Sequence, residues 1–293
     1  MEIDMLRLLA RTSIISFPGL GIGEFEVDKI ALSAEHLGFM KKIFGESWGG
    51  IAWYGVIIMV GILLSALYGM SRAKIDGVTQ DDILDVTLVA VISSVIGARI
   101  YYVVFYGGYN SLYDLVAVWK GGLAIYGAVI GGIVSIIVMA LIKKIPSLRL
   151  LDIGASSIIL GQAIGRWGNF VNAEAYGYET DLPWRMGIGS GAGAIFVHPT
   201  FLYESLWNAL GFVLIWSLYK KKKYDGQMFL VYLTWYGFGR MFIEGLRTDS
   251  LWLVPGVIRV SQLIGAVSFV LCGTVLLVMA LKGRKEKKNG NVD

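Results

Sequence analysis

The sequence has little of what soluble enzymes use for disulfides, metal sites and a charged surface. Among its 293 residues there are one cysteine, two histidines and five prolines, and 16% of the residues are charged. The lone Cys272 excludes an intrachain disulfide and argues against a thiolate metal site, and two histidines are too few for a histidine-rich one. We therefore expect no metal and no cofactor. Soluble domains carry roughly 25% charged residues, so the composition also argues against a soluble protein.

Apolar residues dominate instead. They make up 56% of the chain, the mean hydropathy is +0.64, and there are 38 glycines and 9 tryptophans. Glycine is frequent in membrane helices, and tryptophan collects where such helices meet the lipid headgroups. The composition predicts an all-α integral membrane protein that crosses the bilayer several times.

A helix needs about 20 mostly apolar residues to cross a bilayer, and seven stretches of the chain have close to that length. They cover residues 51–70, 83–106, 121–142, 150–171, 201–219, 227–246 and 260–281. The second stretch contains Arg99, and the sixth contains Arg240 and Glu244, so hydropathy alone favours these two less. We predict seven transmembrane helices.

Lysine and arginine are concentrated in alternate connections of the chain. The connections after the first, third, fifth and seventh stretches are basic: Arg72 and Lys74; Lys143, Lys144 and Arg149; Lys220 to Lys223; and Lys282, Arg284, Lys285, Lys287 and Lys288. Because basic connections tend to stay in the cytoplasm, the carboxyl terminus is predicted to be cytoplasmic and the amino terminus external. This alternation agrees independently with seven crossings.

These assignments divide the chain into three parts. Residues 1–50 are predicted to form an external amino-terminal segment, for which an interfacial amphipathic helix is one option. Residues 51–281 form the seven-helix domain, with residues 172–200 as a small extracytoplasmic head segment before the fifth helix, and residues 282–293 form a basic cytoplasmic tail. We find no internal repeat, which argues against an inverted-repeat transporter.

Two motifs place polar side chains inside the apolar stretches. In GRWGNFVNAEAYG, residues 165–177, Arg166 and Asn169 lie three residues apart and share a helix face. In YGFGRMFIEGLRTDS, Arg240 and Glu244 are spaced i and i+4 and can pair. A charged side chain inside a bilayer costs roughly 2.5–3.5 kcal/mol, so such residues usually face a cavity or a partner.

The two motifs contain several arginines, including Arg247, and few acids to match them. Arginine binds phosphate through two parallel hydrogen bonds, and the nearest abundant anion in a membrane is a phospholipid headgroup. The residues therefore predict a phospholipid site open to the outer leaflet. Plainer alternatives stay open. Each arginine could be an interfacial anchor or part of a structural ion pair, with Glu204 as one partner, and Tyr54 and Tyr126 could be ordinary interfacial aromatic residues.

Together with further motifs, GRWGNFVNAEAYG resembles the signature of the prolipoprotein diacylglyceryl transferases. The others are AWYG (52–55), GARIYYV (97–103), GGLAIYGAVIGG (121–132), HPTFLYES (198–205), GRMFIEGLRTDS (239–250) and RVSQ (259–262). They occur in family order over about 52–262; the thirteen-residue signature is specific, whereas the others are individually weak. The resemblance implies a bacterial plasma membrane protein with seven helices and a small head domain before the fifth.

The resemblance also implies a reaction. Enzymes of this family move the diacylglyceryl group of phosphatidylglycerol to the lipobox cysteine of a prolipoprotein, which forms a thioether and releases glycerol phosphate. The implied partners are phosphatidylglycerol, the prolipoprotein signal peptide with its lipobox cysteine, and the membrane, with no nucleic acid. The alternative from another class is a transporter that binds phospholipid or another anion and does no chemistry.

Carried over by motif position, the resemblance assigns roles to individual residues. Arg166 and Arg240 would hold the phosphate, and the catalytic set is completed by Tyr126, Glu174 and Glu244. The other lipid-binding positions are Asn169, Tyr54, Tyr236, Gly177, Glu204 and Arg247. Many members have histidine, a proposed general base, at the position of Tyr126, and tyrosine with its ordinary pKa of about 10 is a poor substitute. The proton acceptor is left open among Glu174, Glu244 and the lipid phosphate.

Overall fold

The computed structural model describes residues 11–33, 35–37, 39–40, 49–107, 111–118 and 121–289. Predictions for residues 1–10 and 41–48 of the amino-terminal segment, and for residues 290–293 of the basic tail, lie outside the described residues. The chain forms two compact units, which are described separately. The first comprises residues 1–65, 158–219 and 230–293, and the second comprises residues 66–157 and 220–229.

Within the described residues the chain forms α-helices joined by short β-strands. The helices are α1 (Trp53–Ala73), α2 (Gln80–Tyr106), α3 (Leu112–Val116), α4 (Ile125–Lys143), α5 (Ser147–Asn172), α6 (Thr200–Tyr219), α7 (Gln227–Leu246) and α8 (Val260–Asn289). The strands are β1 (Thr12–Phe17), β2 (Ile22–Asp28), β3 (Ile30–Ser33), β4 (Gly50–Ala52), β5 (Met186–Ile188), β6 (Ile195–Val197), β7 (Trp252–Val254) and β8 (Ile258–Arg259).

All seven predicted spans coincide with long helices, namely α1, α2, α4, α5, α6, α7 and α8. In the part of the chain that the structure describes, six of these are long and apolar enough to cross a membrane; α7 is the exception. The α7 helix has 20 residues, but Arg240 and Glu244 make its sequence more polar. The protein is therefore a mostly helical, multi-pass membrane protein, as predicted.

The prediction of an all-α protein is wrong for the segments outside the spans. In the first unit, four strands form a sheet in the order β2-β1-β5-β6, and all neighbours in it are antiparallel. Ile15 of β1 pairs with Ile188 of β5, so the amino-terminal segment is joined to the segment between α5 and α6. Ile15, Met186 and Val197 are buried together against Phe201 at the start of α6. Strands of three to seven residues leave too short an alternating pattern to stand out in the sequence.

In the second unit, glycines let α2 and α4 pack with their backbones in contact. A Cβ atom at Gly97 would lie 2.4 Å from the carbonyl oxygen of Gly127, and one at Gly131 would lie 2.3 Å from the carbonyl oxygen of Ser93. Atoms do not approach so closely, so these positions need glycine. Small residues allow such close approach in membranes, where packing drives helix association.

Arg99 determines where α4 begins. Its side chain is buried in the second unit, and its guanidinium donates to the carbonyl oxygens of Asp114 (2.5 Å), Leu115 (3.0 Å), Gly121 (2.7 Å) and Gly122 (2.9 Å). Gly121 and Gly122 have φ angles of 86° and 73°, a backbone conformation that favours glycine. The helix therefore starts at Ile125 and not at the predicted residue 121, because the four preceding residues form a turn around Arg99.

A buried ion cluster fixes the connection between α6 and α7 in the second unit. Asp152 on α5 is fully buried and accepts hydrogen bonds from Lys222 Nζ (3.2 Å) and from the N–H groups of Gly226 and Phe229 (both 2.9 Å). Lys222 also pairs with the buried Asp76. A lysine can be largely buried here because it pairs with two buried carboxylates, and Asp152 also accepts two backbone hydrogen bonds.

Candidate active site

The signature motif begins as helix and ends in a turn that brings Glu174 back to Asn169. Ala173, the first residue after α5, lies in the left-handed region with a φ of 51°. Its N–H donates to the carbonyl of Phe170, and the N–H of Glu174 donates to the carbonyl of Asn169, both at 3.0 Å. This pair of hydrogen bonds is a common way to close a helix, although glycine is usual at the left-handed position. The turn allows Asn169 Nδ2 to donate to Glu174 Oε1 at 2.9 Å.

Glu204 is the centre of the polar site. It lies in the second turn of α6, its side chain is 4% exposed, and it contacts three arginines. Its Oε1 is 2.6 Å from Arg240 Nη1 and 3.5 Å from Arg247 Nη1, and its Oε2 pairs with Arg166 Nη2. One carboxylate thus connects α5, α6, α7 and the segment after α7.

A line of hydrogen bonds continues from Glu204 to the surface. Arg166, which pairs with Glu204, donates from Nη1 to Asn169 Oδ1 at 3.2 Å. Asn169 in turn donates to Glu174, which is exposed. The predicted neighbours Arg166, Asn169 and Glu174 therefore form one chain of contacts that runs from a buried carboxylate to an accessible one.

The predicted pair of Arg240 and Glu244 is confirmed. Arg240 Nη2 lies 2.5 Å from Glu244 Oε2, and the Glu244 side chain is 2% exposed. The backbone carbonyl of Glu244 accepts a hydrogen bond from the buried Arg259, whose other terminal nitrogen donates to the Tyr178 hydroxyl at 2.9 Å. Arg259 therefore closes the carboxyl end of α7, where the cationic donor meets the negative end of the helix dipole.

Arg247 is held by a fork of two hydrogen bonds. Its Nε and Nη2 donate to the two carboxylate oxygens of Asp249 at 2.9 and 2.7 Å. Burial alone would lower the pKa of the Arg247 guanidinium, but the bonds and charge of Asp249 raise it above its ordinary value. Burial would likewise raise the pKa of Asp249, but Arg247 holds it below the usual range. Both groups are therefore charged at neutral pH.

The predicted excess of positive charge is wrong. Three arginines contact three carboxylates, and Glu174 adds a fourth carboxylate one side chain away; the set is Arg166, Arg240, Arg247, Glu204, Glu244, Asp249 and Glu174. The sequence obscured this balance because Glu204 belongs to a separate motif and the fold alone brings it between the arginines. Charges that balance can be buried without a ligand, whereas three unpaired guanidinium groups could not.

Two of the predicted aromatic positions lie beside this cluster in the first unit. Tyr54 packs its ring on Gly168 of the signature motif, where an added Cβ atom would lie 2.7 Å from Tyr54 Cδ2. Tyr236 lies four residues before Arg240 on α7, and its ring stacks on that of Tyr232 with centroids 5.6 Å apart. Tyr236 and Arg240 therefore share one helix face.

Gly177 lies where three backbone segments meet. A Cβ atom there would be 2.7 Å from the Cβ of His198 and 2.9 Å from the carbonyl oxygen of Leu246, and the Gly177 N–H donates to the carbonyl of His198 at 3.0 Å. The structure thus gives this predicted lipid-binding position a packing role between the start of α6 and the end of α7.

Tyr126 is the predicted site residue that lies in the second unit. It is the second residue of α4, and its ring centroid is 6.2 Å from that of Tyr101 on α2. The other ten predicted residues all lie in the first unit.

Several polar residues near the site were not predicted from the sequence to be site residues; His198 was predicted to be a loop residue before the fifth span. Asp249 and Arg259 occur in quoted motifs, but their contacts depend on loops whose path the sequence does not reveal. His198 Nδ1 lies 3.2 Å from the Tyr203 hydroxyl, which accepts a hydrogen bond from Trp184 Nε1 at 2.8 Å. Burial lowers the pKa of the His198 imidazole. The sequence signal for a role of His198 near the site was its position directly before Pro199 and the start of α6.

Comparison with known proteins identifies the family to which this site belongs. Residues 46–279 match the family model described as prolipoprotein diacylglyceryl transferase. The chain belongs to the prolipoprotein diacylglyceryl transferase family. The resemblance inferred from the motifs is therefore confirmed, and the match includes all eleven predicted site residues of this transferase family member.

Curated relatives agree with this assignment over most of the chain. A phosphatidylglycerol–prolipoprotein diacylglyceryl transferase from Listeria welshimeri is 42% identical over 242 residues, which cover 79% of this chain and 87% of the relative. Proteins of the same name from Finegoldia magna and Limosilactobacillus reuteri are each 42% identical, over 81% and 82% of this chain and 93% and 91% of the relatives. These relatives share the transferase name, while the roles of individual residues stay predictions.

Proposed function

We propose that this chain transfers the diacylglyceryl group of phosphatidylglycerol to the lipobox cysteine thiol of prolipoproteins in the bacterial plasma membrane. The observation that carries the proposal is the cluster around Glu204, in which carboxylates hold three arginines in place. The cluster lies within the residues that match the family model. Relatives named for this transferase support it over a phospholipid transporter that does no chemistry.

The reaction replaces a phosphate ester with a thioether. The cysteine sulfur attacks the glycerol carbon that carries the phosphate, so that a C–S bond forms and the C–O bond breaks. The electron pair of the broken bond leaves with glycerol phosphate, and the thiol proton passes to a base. Because the leaving phosphate gains negative charge, hydrogen-bond donors directed at its oxygens lower the barrier. Arg166 and Arg240 fill this role.

The carboxylates around the arginines assist this role because they fix the donors in place. A guanidinium group has five N–H donors, and the contacts of Arg166 with Asn169 and Glu204 engage one nitrogen each. Glu204 holds Arg166 and Arg240 at once, so little reorganisation is needed when charge develops on the phosphate. Asn169 adds a neutral dipole beside Arg166.

Glu174 is the group that we assign to take the thiol proton. A base must come within hydrogen-bond reach of the thiol, and Glu174 is exposed, whereas the side chain of Glu244 is 2% exposed and paired with Arg240. Replacing Glu174 with Gln should therefore lower kcat strongly and leave KM nearly unchanged. The hydroxyl of Tyr126 stays a prediction from the resemblance, and Tyr126→Phe measures what it contributes.

In this proposal α7 also crosses the membrane, which brings the number of spans to seven. Arg240 pairs with Glu204 and Glu244, so α7 need not bring an unpaired charge into the bilayer. Seven crossings, together with the basic connections, support an orientation with the amino terminus and the head segment 172–200 outside and the carboxyl terminus in the cytoplasm. Labelling of a cysteine introduced at Ser190 from outside intact cells, in a Cys272→Ser background, tests this orientation.

The decisive experiment uses purified protein, phosphatidylglycerol vesicles and a lipobox peptide. The expected product is a peptide heavier by one diacylglyceryl group, with an equal amount of glycerol phosphate released. Arg166→Ala and Arg240→Lys should abolish product while the protein stays folded, and Arg11→Ala, which alters an exposed ion pair with Asp28, is the matched control. A folded wild-type protein that forms no product would overturn the proposal, and an active Arg166→Ala would remove Arg166 from it.

A further inference from the structure

Two tryptophans on α6 and α7 form a reciprocal pair. The indole N–H of Trp207 donates to the backbone carbonyl of Trp235 at 3.0 Å, and the indole N–H of Trp235 donates to the backbone carbonyl of Trp207 at 2.9 Å. The two rings are stacked, with centroids 4.2 Å apart and planes at 11°. Each tryptophan therefore binds the backbone of the other helix through a hydrogen bond, in addition to packing against its side chains.

Each indole ring lies over a glycine of the opposite helix. A Cβ atom at Gly239 would be 2.1 Å from Trp207 Nε1, and one at Gly211 would be 2.5 Å from Trp235 Nε1. The glycine in each helix lies four residues after the tryptophan, in WNALG at 207–211 and WYGFG at 235–239. Because glycine has no side chain, the carbonyl of the tryptophan four residues earlier in the same helix stays accessible to the opposite indole. That carbonyl oxygen has a second lone pair with which to accept the indole N–H.

This pattern, which we call the Trp–Gly clasp (Trp207, Gly211, Trp235 and Gly239), fixes how far α6 can slide along α7. Both halves must fit at once, because each ring needs its own glycine and its own carbonyl. A slip by one residue moves the helices by about 1.5 Å, which would drive Cβ atoms into the rings and break both hydrogen bonds. General hydrophobic packing between two helices permits such slips far more easily.

The clasp lies next to the polar site on both helices. Glu204 precedes Trp207 by one turn of α6, and Arg240 directly follows Gly239 on α7. Arg240 Nη1 is 2.6 Å from Glu204 Oε1, a distance that a slip of about 1.5 Å along the helices would disrupt. The register that the clasp sets is therefore the register that this ion pair needs.

We propose that the Trp–Gly clasp is a positioning device for the reaction: it holds α6 and α7 in the register that places Arg240 against Glu204. The inference rests on the proposed function, since it concerns arginines that are proposed to bind the phosphate. Trp207, Trp235, Gly211 and Gly239 are positioning residues that act through Glu204 and Arg240 and do not touch the reacting atoms.

The test compares Gly239→Ala with a matched glycine variant in the same transfer assay. Gly239→Ala adds one methyl group under the Trp207 ring and should lower kcat/KM by roughly a hundred-fold, the loss typical of an approximately 1 Å misplacement of reacting groups. Gly273→Ala on α8 adds the same methyl group at 3.5 Å from Thr234, an ordinary contact, and should stay active. Trp207→Phe should also lose activity, whereas Trp216→Phe, at a 52% exposed position of α6, should not. Full activity of folded Gly239→Ala would overturn the proposal.

A second measurement distinguishes positioning from simple packing and does not depend on activity. If the clasp acts through the ion pair, the losses in Tm caused by Gly239→Ala and Glu204→Gln should be strongly non-additive, because the first change already breaks the pair that the second removes. Additive losses would refute the coupling. If the wild type forms no product, the proposed function fails, and the Tm cycle still decides whether the clasp controls the Arg240–Glu204 pair.

A third experiment compares the effect of the new methyl group at Gly239 with and without the Trp207 ring. Combining Gly239→Ala with Trp207→Leu removes the ring that the new methyl group would strike. If the clash shifts the register, adding Gly239→Ala should cost far less activity in the Trp207→Leu background than in the wild type, and an equally large loss in both backgrounds would count against the clasp.

Discussion

Removal of the Glu204 carboxylate tests the central feature of the site. Glu204 is 4% exposed, and its partners Arg166, Arg240 and Arg247 are 22%, 14% and 11% exposed, so solvent screens these pairs little. Loss of one partner of a buried ion pair costs about 3–5 kcal/mol. We expect that cost for Glu204→Ala. The three arginines would keep only two direct carboxylate partners, so one buried positive charge would be left uncompensated.

Glu204→Gln should cost less, since the amide oxygen can still accept a hydrogen bond from an arginine. Hydrogen bonds to charged groups contribute about 1.5–3 kcal/mol, which leaves a net loss of roughly 2 kcal/mol. For a protein of this size that corresponds to a fall in Tm of about 4–8 °C. Glu26→Gln on the exposed strand β2 is the control and should stay within about 0.5 kcal/mol of the wild type.

The uncompensated positive charge gives a sharper readout. Inorganic phosphate should raise the Tm of Glu204→Gln more than that of the wild type, because an anion replaces the missing carboxylate between the arginines. Transfer activity should fall by roughly a hundred-fold in the same variant, since Arg166 and Arg240 lose their common anchor. A Glu204→Gln protein with wild-type Tm, no response to phosphate and full activity would refute the role of Glu204 as the centre of the site.

Three further changes test other parts of the structure. Ala173→Gly should raise the unfolding free energy by roughly 1 kcal/mol because the left-handed conformation strains alanine; an unchanged Tm would contradict this. Burial lowers the pKa of His198 below its ordinary 6.5, so its contribution to stability is full above about pH 6.5 and is lost as the pH falls through the folded-state pKa. The Tm of the wild type should therefore drop relative to His198→Gln between about pH 7.5 and 5.5, and parallel curves would contradict it. Asp152→Asn should cost about 3–5 kcal/mol because Lys222 loses a fully buried partner, which equilibrium unfolding in detergent would measure.

The helices were predictable because each carries a long apolar signal of its own. All seven predicted spans are helical, and their ends differ by a few residues where local turns intervene. The start of α4 at Ile125 depends on Arg99 and on the positive φ angles of Gly121 and Gly122, which are tertiary effects. The start of α2 at Gln80, ahead of the predicted residue 83, is by contrast a local effect of the capping box of Thr79 and Asp82.

The sheet was not predictable by the same reasoning. Strands β5 and β6 have three residues each, and β1 finds its second partner about 170 residues away along the chain. Pairing over such a distance leaves no local pattern, and a short apolar run reads equally well as helix or strand.

For the candidate site, the sequence predicted which residues lie together better than it predicted their charge balance. The spacing of Arg240 and Glu244 predicted their pair, and the signature motif placed Arg166, Asn169 and Glu174 together. The charge balance depended on Glu204, whose three partners lie on separate segments. Whether an arginine is free to bind an anion or is already paired with a carboxylate depends on contacts between segments. The spacing of residues within one motif does not reveal those contacts.

The pairing of β1 with β5 has a consequence for the order in which the protein is made. Ile15 leaves the ribosome roughly 9 to 35 s before Ile188 at a synthesis rate of about 5–20 residues per second. During that interval the helices α1, α2, α4 and α5 are synthesised, while one edge of β1 has no partner. Unpaired strand edges invite association with other chains. Strand β1 is therefore paired on both edges only late in synthesis, and a chaperone or the membrane surface that shields β1 would act within this interval.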